Sequence, residues 1–333
     1  MKLVIPMAGR GTRVRPHSHV TPKPLLNVCG RNIIERLVDT FGIVFPGQLT
    51  EGVFVLGPDF GSDIREQLTS ICETRGMVAR FAVQDTAQGT AHAVYCAKDY
   101  LNGDGIVVFA DTLFEMDPSL DLGDADVVAW VKEVEDPRRF GVAVRKGDKI
   151  VEFVEKPTEL ISNEALIGIY YVKDLAVLRD AIKSLIDDDF RGHGREFQLT
   201  DAFDRLLKAG KEFTTASVTE WLDCGTIPAL LDTTMLIVSK YPESSNAKLE
   251  NSVINEPVFI ADGAVITNSI IGPNVSIEAG AVIDESELKD SIVFSNAQIG
   301  TSKLDKSLVG QNASVFGYEG SLNIGDHSTV GGE

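Results

Sequence analysis

Leu3-Val4-Ile5-Pro6-Met7-Ala8-Gly9-Arg10-Gly11-Thr12-Arg13, followed by Pro22-Lys23-Pro24-Leu25-Leu26, decides the reading of this 333-residue chain. A short apolar strand runs into a glycine-rich turn, and a proline-fixed segment then returns a basic residue. Glycines let the backbone approach an anion, and successive N–H groups form a nest for it. The pattern is neither GxGxxG, because Thr12-Arg13-Val14 follows Gly11, nor a P-loop, because no Gly-Lys-Ser/Thr follows. It is a phosphate cradle of a narrower kind. In it Arg13 would clamp a departing diphosphate and Lys23 would contact the phosphate under attack.

The charge distribution agrees. The whole chain carries a formal −18, which argues against nucleic acid and anionic membranes as partners. Residues 1–25 nevertheless hold Lys2, Arg10, Arg13, Arg15, Lys23, His17 and His19 and no acid. Apolar content of 44% and charged content of 24% are those of a soluble globule with a real core. Cys29, Cys72, Cys96 and Cys224 are widely spaced, as expected of reduced thiols in a cytoplasmic protein. The N-terminal apolar run is too short for a signal peptide, and no stretch reaches spanning length.

Outward from the cradle, β-rich runs alternate with helical patterns to about residue 240. Strands are expected over 2–6, 51–56, 78–83, 105–110, 126–133, 140–145, 149–154 and 165–172. Helices are expected over 31–41, 61–75, 88–100, 174–187 and 197–209. This alternation predicts an α/β fold with helices layered on a sheet, whose ligands collect at the carboxyl ends of the strands. The glycine turn and Asp111 both fall there. Near 245 the pattern changes. Val253, Phe259, Val265, Ile271, Ile277 and Ile283 recur at a step of six, separated by Gly, Asn, Ser and Asp. Three such repeats close a triangular coil, a parallel β-helix burying each aliphatic residue. The register loosens after Glu285, which suggests irregular coils or an insertion. The chain closes on Gly331-Gly332-Glu333 without a clear capping helix, which favours either contact with another copy or a frayed tail.

Ala8-Gly9-Arg10-Gly11-Thr12-Arg13 with Pro22-Lys23-Pro24-Leu25-Leu26 resembles the opening of the sugar-1-phosphate nucleotidylyltransferases. The resemblance extends to residue 240, and a left-handed hexapeptide-repeat β-helix is a common companion of that domain. It implies a Rossmann-like nucleotidyltransferase domain with a mixed sheet over 1–244 and a β-helix over 245–333. The expected substrates are a nucleoside triphosphate and a sugar 1-phosphate. Met7 stands where the family has another small residue, a departure expected to cost nothing.

The resemblance assigns Ala8, Gly9, Gly11 and Thr12 to the nucleotide. It also assigns Gln84, Gln88, Gly89 and Thr90 to it, although the residues alone read as a strand end, a polar turn and a helix cap. Gln84 would bond a pyrimidine edge and Gly89 would offer backbone groups, favouring uracil or thymine. Asp111, an acid at a sheet's carboxyl edge beside the cradle, is a natural Mg²⁺ ligand. The family usually has Gly-Asp where this chain has Ala110-Asp111. Asp223, in Trp221-Leu222-Asp223-Cys224-Gly225-Thr226, would be the second metal ligand.

Gly141, Glu155, Lys156, Gly168 and Tyr170 would form the sugar-phosphate side, with Glu155 on sugar hydroxyls and Lys156 on the phosphate. Leu166 occupies the position where the family places an asparagine for N-acetylated sugars, which favours glucose 1-phosphate. The implied chemistry is direct displacement at the α-phosphorus of dTTP or UTP, with Arg13, Lys23 and Lys156 as catalytic cations. Two rivals remain open. One is a regulatory homologue that binds a nucleotide sugar without making it. The other is an amino-sugar uridylyltransferase whose β-helix transfers acetyl groups, to which His327 lends some appeal, although a lone histidine there is expected to be exposed. The β-helix itself is expected to assemble a homo-oligomer.

Overall fold

The computed structural model describes residues 1–332 apart from 10, 118–121, 148, 242 and 245–246. Arg10 of the glycine turn and the terminal Glu333 therefore lie outside the described residues. The expected boundary between 244 and 245 adjoins the undescribed 245–246. The chain divides into two compact units, Met1–Gly9 with Leu37–Trp221 and Arg10–Arg36 with Leu222–Glu333.

In the first unit, nine strands among the described residues form one mixed sheet. Lys2–Pro6 runs at its centre, parallel to Glu51–Leu56 on one side and Gly105–Val108 on the other. Val78–Val83 extends the parallel part. Leu3, Val4 and Ile5 are fully buried, because a strand covered on both faces is apolar without alternation. Glu164–Val172 then pairs antiparallel with Gly105–Val108 and with Val127–Glu133. Its first residues also meet Gly141–Lys146, which forms an antiparallel pair with Lys149–Glu155. Phe213–Ser217 adds a strand parallel to Val127–Glu133.

Gly168 sits at an irregularity in this ladder. On one side the register jumps between Leu166 and Tyr170, and φ at Gly168 is +83°. A side chain here would press on the Phe109 ring at 3.1 Å. The Gly168 carbonyl accepts from the Phe109 N–H at 3.0 Å. The bulge thus fixes the exit of the strand Gly105–Val108, two residues before Asp111.

The helices Leu175–Asp187 and Leu199–Lys208 bury Leu178, Ile182, Leu185, Ala202, Phe203 and Leu206 against this sheet. Phe203 is the hub of an aromatic cluster, with Tyr170 at 4.7 Å and Phe153 and Phe213 both at 6.0 Å between centroids.

The second unit holds the β-helix, three parallel ladders built from two- and three-residue strands. Its interior is lined by Ile254, Ile260, Ile266, Ile271, Ile277, Ile283, Leu288, Val293, Ile299, Leu304, Val309 and Val315. The strict six-residue step holds from Ile271 to Ile283 but is one residue out of register before that. Val253 is 56% exposed, and Val265 is only half-buried. The cause is coil length. Val258 pairs with Val275, Val282 with Gln298 and Leu308 with Asn323, so the coil shortens from seventeen residues to sixteen and then fifteen. The loosened register after Glu285 is this shortening, and the ladders continue to Val330 without an insertion.

At one corner the hydroxyls of Ser252, Ser269, Ser286 and Ser302 accept the backbone N–H groups of Ser269, Ser286, Ser302 and Tyr318, satisfying polar groups that the tight turn would orphan. The helix Ile227–Lys240, capped by the Thr226 hydroxyl on the Ala229 N–H, lies against the ladder of Val258–Ile260, Val275–Ile277 and Ser291–Val293.

Candidate active site

In the first unit, Gln84 follows the end of Val78–Val83 and is 7% exposed. Its Nε2 donates to His92 Nδ1 at 3.0 Å and reaches the Gly89 carbonyl at 3.4 Å. His92 Nδ1 is therefore the accepting nitrogen of a neutral ring. Burial, followed by the charge of Arg191, pushes this imidazole below its ordinary range.

Gly89 has φ +112°, and a Cβ there would stand 2.5 Å from the Phe197 carbonyl oxygen and 2.7 Å from its nitrogen. The reason is a backbone docking. Phe197 donates to the Gln88 carbonyl and accepts from Ala91 N–H, both at 2.9 Å. Thr90 Oγ1 donates to Gln198 Oε1 and accepts the Leu199 N–H. Gln88 Oε1 receives Arg191 at 3.3 Å. The structure thus brings Gln84, Gln88, Gly89 and Thr90 together, and adds His92, Phe197 and Gln198, which the sequence does not mark as site residues.

Residues expected on the sugar side also come together. Period-two alternation puts Phe153 and Glu155 on one face of Lys149–Glu155, towards Leu199–Lys208. Glu155 Oε2 accepts from Thr200 Oγ1 at 3.2 Å, and Lys156 Nζ lies 3.6 Å from Glu155 Oε1. A Cβ on Gly141 would fall 2.9 Å from Glu155 Oε2 and 3.0 Å from both Leu166 and Thr200, so glycine is required for this carboxylate to sit where it does. Lys156 has φ +45°, a costly conformation for a side-chain-bearing residue, and its N–H donates to the Phe140 carbonyl at 3.0 Å.

Tyr170 is buried beneath. Its phenol is pushed far up by burial and further by the Glu155 charge, so it stays neutral. Asp201 is raised by burial and then by Glu155 and Asp204, and its Oδ2 is buried without a partner among the described residues. Neither Thr200 nor Asp201 stands out in the sequence. Their signal, Thr-Asp opening an amphipathic helix, reads as an ordinary cap.

Asp111 is half-buried just past the carboxyl end of Gly105–Val108. Ala8 and Gly9 follow Lys2–Pro6. A Cβ at Gly9 would meet no described atom within 4 Å, so packing within the protein does not require glycine there.

In the second unit, Gly11 is left-handed at φ +56° and starts the short turn Thr12–Val14. Its Cβ position is 2.9 Å from the Lys23 Cβ, and its carbonyl accepts from Ser18 Oγ at 2.6 Å. The cradle glycine and the returning lysine are thus packed together. Arg13 and Thr12 are exposed. Asp223 Oδ1 accepts the Gly225 N–H at 2.7 Å, and a Cβ on Gly225 would lie 2.8 Å from Asp223 Oδ1 and 3.3 Å from Arg13 Nη2. Gly225 is therefore the small residue that lets Arg13 and Asp223 approach.

Among the described residues no group of three or more His, Cys, Asp or Glu could hold a metal by itself. Mg²⁺ is typically held by one or two carboxylates, with waters and substrate phosphates completing six oxygens. Asp111 and Asp223 are donors of that kind, and the Gly225 bond engages only one oxygen of Asp223. Burial is the main cause that pushes the Cys72 thiol up to about 11. His327 is exposed. No helix of the described residues is long and apolar enough to cross a membrane.

A family model described as nucleotidyl transferase matches residues 2–240. The low-salt glycan biosynthesis nucleotidyltransferase Agl11 of Haloferax volcanii is 31% identical over 72% of this chain and 66% of its own length. The bifunctional protein GlmU of Methanococcus maripaludis is 27% identical over 80% of this chain and 62% of its own. The chain thus spans slightly under two thirds of these relatives. The glucose-1-phosphate thymidylyltransferase of Streptomyces griseus is 25% identical over 98% of both chains. Among solved structures, a Bacillus anthracis protein provisionally named a glucose-1-phosphate thymidylyltransferase, crystallised with sucrose, superposes with a TM-score of 0.56 at 27% identity over 71% of this chain and 94% of its own. With the mixed sheet, the glycine cradle and this match over most of its length, the chain belongs to the nucleotidyl transferase family.

Proposed function

We propose that the protein transfers a nucleotidyl group from dTTP or UTP to glucose 1-phosphate, releasing pyrophosphate. The observation that carries this reading is the pair Glu155–Lys156, with Gly141 cut back to admit the carboxylate and Leu166 as the apolar neighbour. A carboxylate for hydroxyls beside a cation for phosphate suits a neutral sugar 1-phosphate. Leu166 offers no amide to an N-acetyl group, which favours glucose over an amino sugar. Gln84, with a buried primary amide, supports a pyrimidine edge as its partner.

The attacking phosphate is already ionised near neutral pH, so no side-chain base is required. Charge accumulates as two anions meet, and Arg13, Lys23 and Lys156 are proposed to offset it and orient the phosphates. Asp111 and Asp223 are each proposed as a carboxylate donor to Mg²⁺, which when bound supplies further charge neutralisation. Ala8, Gly9, Gly11 and Thr12 are proposed to cradle the triphosphate, and Gln88, Gly89 and Thr90 to border the base. Tyr170 and Gly168 are proposed to shape the sugar side, and the β-helix to join copies of the chain.

The test is pyrophosphate release in Mg²⁺, crossing dTTP, UTP, GTP and ATP with glucose, N-acetylglucosamine, galactose and mannose 1-phosphates. A preference for a pyrimidine nucleotide with glucose 1-phosphate supports the reading. Preference for N-acetylglucosamine 1-phosphate would move it towards the amino-sugar uridylyltransferase reading, and silence across the grid would favour a binding protein.

A further inference from the structure

The segment carrying Arg13 and Lys23 is anchored on the β-helix at several points along its length. Near its start, His17 is fully buried, its Nε2 donates to Asn323 Oδ1 at 2.6 Å, and its ring packs 5.4 Å from that of Phe294. Beside it, Pro16 leaves no room for a side chain at Gly325, whose Cβ position is 2.8 Å from the proline Cβ. Past Lys23, Glu278 accepts the Gly30 N–H on Oε1 at 3.0 Å and Asn27 Nδ2 on Oε2 at 3.2 Å. Glu278 is a charged residue only 1% exposed on a β-helix coil. A carboxylate there costs free energy unless its acceptors are used. Gly30, at φ +75°, meets the tip of the Phe259 ring, whose Cζ would be 2.6 Å from a Cβ. Phe259 therefore faces outward, between Val258 and Ile260 of the β-helix interior. Glu278 Oε1 also accepts from Ser276 Oγ at 3.5 Å, but a tail that served assembly alone would have no need of a buried acid that accepts from Asn27 and Gly30.

We propose that the β-helix is the mounting of the phosphate-facing segment, with Glu278 and the His17–Asn323 pair as positioning residues for Arg13 and Lys23. The inference rests on the nucleotidyl-transfer reading above. Lys23 is held between an anchor six residues before it and another four residues after it. Releasing either anchor lets the cation drift, and misplacement of about 1 Å costs on the order of 100-fold in rate.

The test uses the full chain with Glu278→Ala, Glu278→Gln and Asn323→Ala, read by steady-state kinetics and by amide hydrogen exchange over residues 11–30. Glu278→Ala is expected to lower kcat by about 10-fold or more, with the KM for sugar 1-phosphate unchanged and exchange over 11–30 faster. Glu278→Gln is expected to recover most of the rate, because its carbonyl can accept from Gly30 and the Asn27 amide can turn to match it. Asn323→Ala, at an exposed position, is expected to act in the same direction if the Glu278 variants fail to fold. Folded Glu278→Ala and Asn323→Ala proteins with wild-type kcat would overturn the proposal. If the wild type turned over no substrate pair, the function reading would fail and exchange alone would decide. Loosening of 11–30 would then keep the mounting, and unchanged exchange would overturn it.

Discussion

Gln84 Nε2 donates to His92 Nδ1 at 3.0 Å, so the amide proposed to read the base is oriented by a half-buried neutral imidazole. Gln84→Ala should lower kcat/KM for the pyrimidine nucleotide by about 10-fold or more, the scale of a buried hydrogen bond left unpaired. His92→Ala should give a smaller loss in the same direction, since the amide then keeps only its long contact to Gly89. Titrating the nucleotide at saturating sugar phosphate measures both.

Gly141→Ala should act on the other substrate. The new methyl would stand 2.9 Å from Glu155 Oε2 and 3.0 Å from Leu166, so the carboxylate must move or the strand must shift. Overpacking of this kind costs about 1–3 kcal/mol. The KM for the sugar 1-phosphate should rise severalfold while that for the nucleotide stays close to wild type. An unchanged sugar-phosphate KM would count against Glu155 as a sugar ligand.

Arg13→Ala and Asp111→Asn separate chemistry from folding. Arg13 is exposed and Asp111 half-buried past a strand end. Each variant should lose about 100-fold in kcat, the scale of one removed charge-stabilising group. Thermal denaturation should shift by no more than about 1 kcal/mol equivalent, as is usual away from the core. Near-normal turnover in either variant contradicts its assigned role. Phe203→Ala should do the reverse, costing about 3–5 kcal/mol through loss of the aromatic hub.

His17 gives a pH dependence with a definite sign. Burial holds its imidazole below the ordinary value of 6.5, against the opposing pulls of the Asn323 bond and Asp326. As pH falls through 6.5 the unfolded chain takes up the proton first, so the folded state loses stability from there down to its own lower pKa. Above the ordinary value the contribution is complete. His17→Gln should therefore show a flatter Tm between about pH 6.5 and pH 5 than the wild type. Equal slopes would show that His17 is not held neutral by the fold.

The central strands are legible in the sequence because their residues are apolar without alternation, and Leu3-Val4-Ile5 forms the strand expected over 2–6, which the structure puts at the sheet centre. Phe213–Ser217 is not, because a half-exposed strand of Thr, Ala and Ser carries no hydrophobic period. The helix Ile227–Lys240 does carry signals, Thr226 as cap and Pro228 in the first turn, but it lies between the α/β alternation and the six-residue repeat and belongs to neither pattern.

The β-helix is recognisable from its repeat, yet a strict step of six places its first coils one residue out, since a coil of seventeen residues does not divide into three equal sixes. The proposed site residues are picked out by their motifs. Their supports are not. Phe197 behind Gly89, Thr200 on Glu155 and Glu278 beneath Gly30 lie 108, 45 and 248 residues from their partners, and no local pattern signals contacts at such separations.

The central claim is tested most directly by following α-labelled dTTP and UTP with glucose 1-phosphate and Mg²⁺. The account predicts that the label leaves the triphosphate and appears in a nucleoside-diphosphate glucose, with one pyrophosphate released per sugar nucleotide formed. Label that remains in the triphosphate, with the nucleotide bound and the protein folded, would contradict it.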